Sequence, residues 1–472
     1  MDKKRIAAEI RDYLARERMS REQFAFKTKL GKSTVDKLLT GLFSDKTLAI
    51  VESHTKLALR ANGQSEARPA PRPELRPLDR PSIAVLPFDN LSGDPDQDYL
   101  ADGLTEDIIT ALARLRWLFV IARNSSFVYK GRAADVREVA RELGVRYVLE
   151  GSVRTAGGRI RIVGQLVDAE TGKHIWAEKY DRELRDIFAV QDEITEHVVA
   201  AVEPHLYAEE GYRAANRPPD SVDAWGLVVR ALGLLTKHDR PQNEEARRLL
   251  ERAIAIEPAY ARAHALVAWS LWWAAFNDWL PDRAQAERAA SRAAEHALSL
   301  DQTDPWARMI FGMCLSNAGQ HERALGEVQQ ALALNPSFAL GRTIHGWALL
   351  RAGRFDEAIA ETARALRMSP VDSFSGFYTS VHGLALLGAR RFEEALPYLR
   401  ASVAAMAEYT GHYNTLISVC GHLGLLEEAR EFMAIRNRLG KPLRVSVLRQ
   451  NLARFAHCDV FVEGLAKAGV PE

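Results

Sequence analysis

The sequence predicts a multidomain chain built from three kinds of unit: an all-α basic head, an α/β sheet domain and an all-α helical-repeat solenoid. Three observations carry this reading. The C-terminal half repeats at 34 residues, so that Gly312, Gly319, Ala324, Ala331 and Pro336 recur as Gly346, Gly353, Ala358, Ala365 and Pro370. A fixed period of that length with small residues at set offsets marks stacked helix–turn–helix units. From Ser82 onward the apolar spacing changes to strands alternating with helices, which specifies an α/β sheet. Before Ser82 runs a stretch of prolines and arginines unsuited to a packed core. At 472 residues the chain also exceeds what one core holds.

Composition narrows the class. With 47% apolar and 26% charged residues the chain is neither disordered nor membrane-like. Net charge is +1, but it is unevenly spread. Residues 1–60 carry fourteen Lys and Arg against eight Asp and Glu, whereas residues 82–206 carry fifteen against twenty-one. A basic head before an acidic middle suits an anionic partner for the head. Cys314, Cys420 and Cys458 are far apart and form no CxxC pair, as expected of buried thiols in a reduced intracellular protein. The opening MDKKRIAAEIRDYL lacks the apolar core of a signal peptide, and the longest apolar stretch, Ala265–Phe276, is interrupted by Ser270 and too short to span a bilayer. A cytoplasmic protein without a membrane partner is expected.

In the head, residues 1–60, apolar side chains come at helical spacing: Ile6, Ile10, Tyr13 and Leu14, then Phe24 and Ala25, then Val35, Leu38 and Leu39, then Leu48, Val51 and Leu57. Ser20 is placed to cap a helix opening Arg21-Glu22-Gln23. A second short helix should start near Lys32-Ser33-Thr34, after a turn at Leu30-Gly31. Two helices joined by three or four residues in a basic domain resemble a phage-repressor-type helix-turn-helix. That resemblance implies DNA as the head's partner, with Lys32, Ser33, Thr34, Asp36 and Lys37 facing bases and phosphates. The chain departs from the family at Lys29, where glycine is frequent. Asp36 would repel the DNA backbone and fits the alternative, a helical bundle for protein contacts. Gly31-Lys32-Ser33 ends like a phosphate-binding loop, but Phe26 stands where that motif needs a glycine and no strand precedes it.

Residues 61–81 interleave Pro69, Pro71, Pro73, Pro77 and Pro81 with Arg68, Arg72, Arg76 and Arg80, a semi-extended spacer. The sheet domain, 82–206, then reads as a strand SIAVLPF, a helix Asp102–Leu115, a strand Trp117–Ala122 and a helix Ala134–Leu143. Strands Tyr147–Val153, Ile160–Val167 and His174–Tyr180 follow, turned at Gly157-Gly158 and Thr171-Gly172, with a final helix Phe188–Leu206. The run IAVLPFDNLSGDPDQDYLADGLTEDI, with RNSSFVYKG and YVLEGSVR, resembles the TolB-like amino-terminal domain, which precedes tetratricopeptide repeats in bacterial regulators. Loops 89–98 and 123–131 follow the first two strands, where open sheets hold ligands. Arg123, Asn124, Ser125 and Ser126 are therefore candidate anion contacts, against the default of a structural loop. Asp94, Asp96 and Asp98 have calcium-loop spacing, but Tyr99 and Thr105 replace the glycine and glutamate that such a loop requires. No metal or cofactor is expected.

In the solenoid, 220–472, the alanine register runs Ala246, Ala290, Ala324, Ala358, Ala395 and Ala429, with steps of 44, 34, 34, 37 and 34. The two long steps read as loop insertions of ten and three residues. Gly312, Gly346 and Gly383 stand twelve before an alanine, where a neighbouring helix leaves no room for a side chain. These positions resemble the tetratricopeptide repeat, although Arg308 and Arg342 replace its tryptophan and Ile417 replaces a small residue in the last unit, which reads as a cap. The resemblance implies a protein or peptide partner. Trp269, Trp272, Trp273 and Trp279 lie inside the longest step. They read either as an aromatic face packed on its neighbour or as an exposed anchor for that partner.

The combined expectation is a bacterial regulator whose DNA-binding head answers to protein or ligand binding on the sheet and solenoid. The acidic middle also offers the head a competitor for DNA. A scaffold whose head never touches DNA is the alternative. TolB-like and repeat modules often follow a class III adenylate cyclase domain, which needs two metal-binding aspartates on well over a hundred residues; only 81 residues precede Ser82. No Ser/His/Asp or Cys/His order and no HExxH motif stands out, so an enzyme is not expected.

Overall fold

Among its described residues the head has four short helices: α1 (Lys3–Arg16), α2 (Arg21–Thr28), α3 (Lys32–Leu39) and α4 (Asp45–Thr55). Their cores are the residues at helical spacing, with Ile6, Ile10, Phe24, Val35, Leu38, Leu48 and Val51 buried together. The computed structural model describes residues 3–55, 57, 59, 81–94, 97–132, 135–183, 186–216, 223–277, 279–370 and 373–472. The spacer expected at 61–81 lies outside these except for Pro81, as does Asp96. The chain divides into two compact units, Met1–Leu75 and Arg76–Glu472.

The larger unit begins with a mixed sheet. Strands β1 (Ser82–Val85), β2 (Asp89–Asn90), β3 (Phe119–Val120), β4 (Tyr147–Ala156), β5 (Arg159–Asp168) and β6 (Lys173–Glu183) form the order β3-β1-β4-β5-β6, with β2 also on β4. Pairing is parallel at β1–β3, β1–β4 and β2–β4 and antiparallel at β4–β5 and β5–β6. The β4–β5 turn uses Gly157 and Gly158, both at positive φ, which glycine adopts without Cβ strain. Helices α5 (Asp98–Leu112), α6 (Arg123–Ser126) and α7 (Val136–Leu143) lie between strands. The expected loop after β3 is thus a helical turn at its start.

Helix α8 (Ile187–Ala215) runs nine residues beyond the expected end at Leu206 and contains Pro204. Proline lacks the N–H that would bond the Ala200 carbonyl. The Ser369 hydroxyl stands 3.5 Å from that oxygen. Asp186 caps the helix, accepting from the Phe188 and Ala189 amides at 3.0 and 3.2 Å. Ile194, Val198, Val202 and Leu206 pack into the sheet core, while Ala200, Tyr207 and Ala214 join the solenoid core. A helix apolar on both sides is a buried helix, and α8 joins sheet to solenoid.

Six helix pairs follow: α9 (Ala224–Leu235) with α10 (Arg240–Ile256), α11 (Ala261–Phe276) with α12 (Arg283–Leu300), α13 (Pro305–Asn317) with α14 (His321–Leu334), α15 (Ala339–Arg351) with α16 (Phe355–Met368), α17 (Ser375–Gly388) with α18 (Phe392–Ala405), and α19 (Thr410–Leu423) with α20 (Leu426–Leu439). Helices α21 (Val445–Leu452) and α22 (Cys458–Lys467) finish the chain, α22 packing on α19. Each register alanine, Ala246 through Ala429, lies on the second helix of its pair and is fully buried. A Cβ on Gly346 would stand 3.1 Å from the Ala358 carbonyl oxygen, so the glycine sets how closely α15 approaches α16.

The longest step is not a loop insertion. Compared with α13–α14, α11 has three extra residues, the following loop three, and α12 four before its register alanine. Most of the insertion is helix, because apolar Ala and Trp continue the helical stripe. The positions of the missing consensus tryptophans are also explained. Arg308 bonds the Gln302 carbonyl at 2.7 Å and pairs with Glu327 at 2.6 Å; one repeat later Arg342 bonds the Pro336 carbonyl at 3.0 Å and pairs with Glu361 at 3.4 Å. His264 and Tyr413 likewise reach the carbonyl six residues back, at 2.8 and 3.1 Å. A polar side chain here ties the first helix to the preceding turn.

Among the described residues no helix is long and apolar enough to cross a membrane. The three cysteines are buried free thiols.

Candidate functional site

The head presents α3 as its candidate reading helix. Ser20 caps α2 through a capping box, accepting from the Gln23 amide at 3.2 Å while Gln23 Oε1 accepts from the Ser20 amide at 2.8 Å. Lys29 ends α2 in the left-handed region at φ 56°, a conformation that glycine adopts with less strain. Leu30 and Gly31 complete the connection, and Gly31 is the N-cap of α3. Val35, Leu38 and Leu39 turn inward, leaving Lys32, Ser33, Asp36 and Lys37 exposed and Thr34 half-buried on one outer surface.

Charge on that surface is partly spent. Lys32 Nζ lies 2.6 Å from Glu22, and this hydrogen bond lowers the Glu22 pKa and raises that of Lys32. Arg21 reaches Asp36 at 3.4 Å. Both pairs are exposed, so they are weak and screened by salt. Lys32 is thus paired with Glu22, and Arg21 partly neutralises Asp36.

The tryptophan anchor does not survive. Trp269, Trp272 and Trp273 on α11 are 1%, 2% and 1% exposed. Trp272 meets Trp347 of α15 edge-on at 6.2 Å, Trp269 meets Phe377 of α17 at 6.2 Å, and Trp273 lies 4.9 Å from Tyr409 beside α19. Successive first helices pack on each other and form an interior layer of the solenoid. Repeats two, four, five and six therefore fill that interior with their own rings, and no face of these three rings remains for a partner. Trp279 is half-buried, packed against the same core, with its amide bonding the Ala274 carbonyl at 2.9 Å.

The anion loop is also not assembled. Arg123 opens the single turn of α6, pairs with Glu106 at 3.1 Å and stacks 3.9 Å over Phe127. Ser126 is buried, while Asn124 and Ser125 point to solvent. The only cation of the set is held by a carboxylate, so the four residues do not converge. Asp98, in the first loop, bonds Asn90 at 2.8 Å and pairs with Lys130 at 3.3 Å.

A cavity that sequence reasoning missed opens beside α8. Its volume is about 480 Å³, and it lies between α8, α9 and the starts of α13, α15 and α17. Tyr207, Trp306, Phe338 and Phe374 give it apolar walls, and Arg230 and Lys237 of α9 also line it. Its parts come from segments over a hundred residues apart, so no local pattern announces it. Next to it a buried network anchors α8. Arg262 pairs with Asp304 at 2.8 Å and donates to the Tyr207 hydroxyl at 2.8 Å, while Asp304 also caps α13 through the Trp306 amide at 2.7 Å.

Residues 79–197 match the family model for the second domain of HilA/YgeH-like transcriptional regulators. The match covers β1 through the first three turns of α8 and supports a role in regulation. A curated relative, "Putative adenylate cyclase 3" of Rhizobium meliloti (strain 1021), is 48% identical over 237 residues. That alignment takes in 50% of this chain, which spans only 40% of the relative's length. Solved structures similar to this chain include PilF of Pseudomonas aeruginosa, at 18% identity over 46% of this chain and 91% of that one, TM-score 0.32. A thermophilic TPR protein of Thermus thermophilus is 16% identical over 42% of this chain and 98% of its own, TM-score 0.33. The solenoid assignment rests on the helix pairs themselves.

Proposed function

We propose that this chain is a DNA-binding transcriptional regulator controlled through its sheet and solenoid. The observation that carries the reading is α3: a short helix after a three-residue connection, with Ser33, Thr34 and Lys37 on its outer surface, in a head of net positive charge. The regulator-domain match over 79–197 supports it. The resemblances to phage-repressor heads and TolB-like domains supply the finer assignment. Signal reception belongs to the larger unit, as a protein partner or a ligand. No catalysis is assigned to this chain, and turnover of ATP to cyclic AMP with Mg²⁺ or Mn²⁺ would overturn that.

A scaffold whose head avoids DNA is the second reading, favoured by the Glu22–Lys32 and Arg21–Asp36 pairs, which cancel charge where DNA would lie. DNA co-purified with the full chain, sequenced and reused in a salt titration, separates the two. The regulator predicts enriched sequences, and Lys37→Ala should lower the slope of log affinity against log salt by about one. Absence of enrichment, with Lys37→Ala indistinguishable from the parent, would leave the scaffold.

A further inference from the structure

The solenoid holds a second cavity, of about 290 Å³, near its C-terminal end. Its lining brings together Arg283 from α12, Arg351 from α15, Arg436 from α20, and Lys441 and Arg444 from the segment after α20. No Asp or Glu lines it among the described residues. Arg283 pairs with Glu287 at 2.9 Å outside the lining, which still leaves four basic residues around so small a space, where like charges raise one another's cost. Phe276, Trp347 and Tyr409 supply aromatic walls.

Arg351 is the decisive member. It is 4% exposed, and among the described residues no carboxylate forms an ion pair with it. One guanidinium nitrogen bonds the Asn317 side chain, the group lies 4.3 Å from the Trp347 ring and 4.0 Å from Phe455, and its Nε is buried with no hydrogen-bond partner. The ring faces offset part of the cost of burying this charge. They leave the unpartnered Nε unexplained. Burial, and then the nearby Arg283, hold the Arg351 pKa well below the ordinary arginine value. A buried cation normally has a counter-ion.

We propose that this cavity binds a small organic anion carrying a flat ring, its charge set against Arg351 and the rim cations and its ring against Phe276, the half-buried member of the aromatic wall. The volume lies at the lower end of ligand pockets and admits a small molecule, not a folded partner. Bound there, the anion bridges repeats two, four and six to the segment before α21, and so clamps the solenoid. The inference does not rest on DNA binding by the head.

Isothermal titration of the full chain tests it with AMP and benzoate as ringed anions, pyrophosphate as charge without a ring, and adenosine as ring without charge. Saturable one-to-one binding of AMP or benzoate is expected, with pyrophosphate weaker and adenosine silent. Arg351→Gln should abolish the binding. Because that variant can loosen the fold, Lys441→Ala with Arg444→Ala at the exposed rim gives a second reading and should weaken it roughly tenfold, equivalent to about 1.4 kcal/mol. No saturable binding of either ringed anion, pyrophosphate as tight as AMP, or affinity untouched by the rim double variant would each overturn the proposal.

Discussion

A methyl group meets opposite surroundings at Gly346 and Gly326. At Gly346 it would lie 2.4 Å from Thr362 Cγ2 and 3.1 Å from the Ala358 carbonyl oxygen. Thr362 cannot swing aside, because it is buried with its hydroxyl 2.7 Å from both the Ala358 carbonyl and His382 Nδ1. At Gly326, inside α14, nothing lies within 4 Å. Gly346→Ala should therefore lower stability by about 1–3 kcal/mol, and Gly326→Ala should raise it by about 0.5–1 kcal/mol, both read from urea midpoints at pH 7. Equal signs would mean that helix propensity, and not the α15–α16 approach, decides these sites. The alanine and glycine register was legible in the sequence because small side chains recur only where helix axes come close. The side faced by Trp269, Trp272 and Trp273 was not, since an aromatic stripe looks the same whether the chain or a partner covers it. Arg351 was equally mute: its lack of a counter-ion depends on residues 283 to 457, which no local window joins.

Helix α8 is where local reading failed and tertiary context won. The expected end at Leu206 already lies past Pro204, and the helix continues nine residues further because both its flanks are covered. It carries Glu196 to Arg364 at 2.6 Å and Tyr207 to Arg262 on the solenoid side, and Glu210 to Arg146 at 2.7 Å on the sheet side. The strands and the helices around them were legible because alternation and turn residues are local signals, whereas this double coverage is not. The same coverage should make sheet and solenoid unfold together. Leu206 is fully buried in the sheet core, and Leu206→Ala should cost about 2–5 kcal/mol. Hydrogen exchange followed by mass spectrometry checks the coupling. Amides of β4–β5 and of α13–α16 should lose protection by the same free energy; loss confined to the sheet would show that α8 does not join the two.

For the molecule as a whole, acid should separate the two compact units. The larger one buries six histidines, and four of them carry the effect. Burial holds His238 and His382 down to about 4, and His412 and His457 to about 3, from an ordinary 6.5. Neighbouring positive charge adds to this: Arg391 and Arg367 beside His382, partly offset by Glu394, His238 beside His412, and Arg351 beside His457. Unfolding releases each ring to its ordinary value, so between pH 6.5 and the folded value the unfolded chain binds more protons. Stability is then fully present above pH 6.5 and falls as pH drops toward 4, by on the order of 1–3 kcal/mol per ring. The head's one histidine, His54, is exposed on α4, and its core contains none. Calorimetric scans at pH 7, 6, 5 and 4.5 should show two transitions, with the one belonging to Arg76–Glu472 moving down in temperature from pH 6.5 and the Met1–Leu75 transition lagging behind it. His238→Phe removes one titrating ring among Trp273 and Phe374, 4.8 and 5.9 Å away, and should flatten that descent. An unchanged slope in this variant would show that His238 does not contribute to the acid sensitivity of the solenoid.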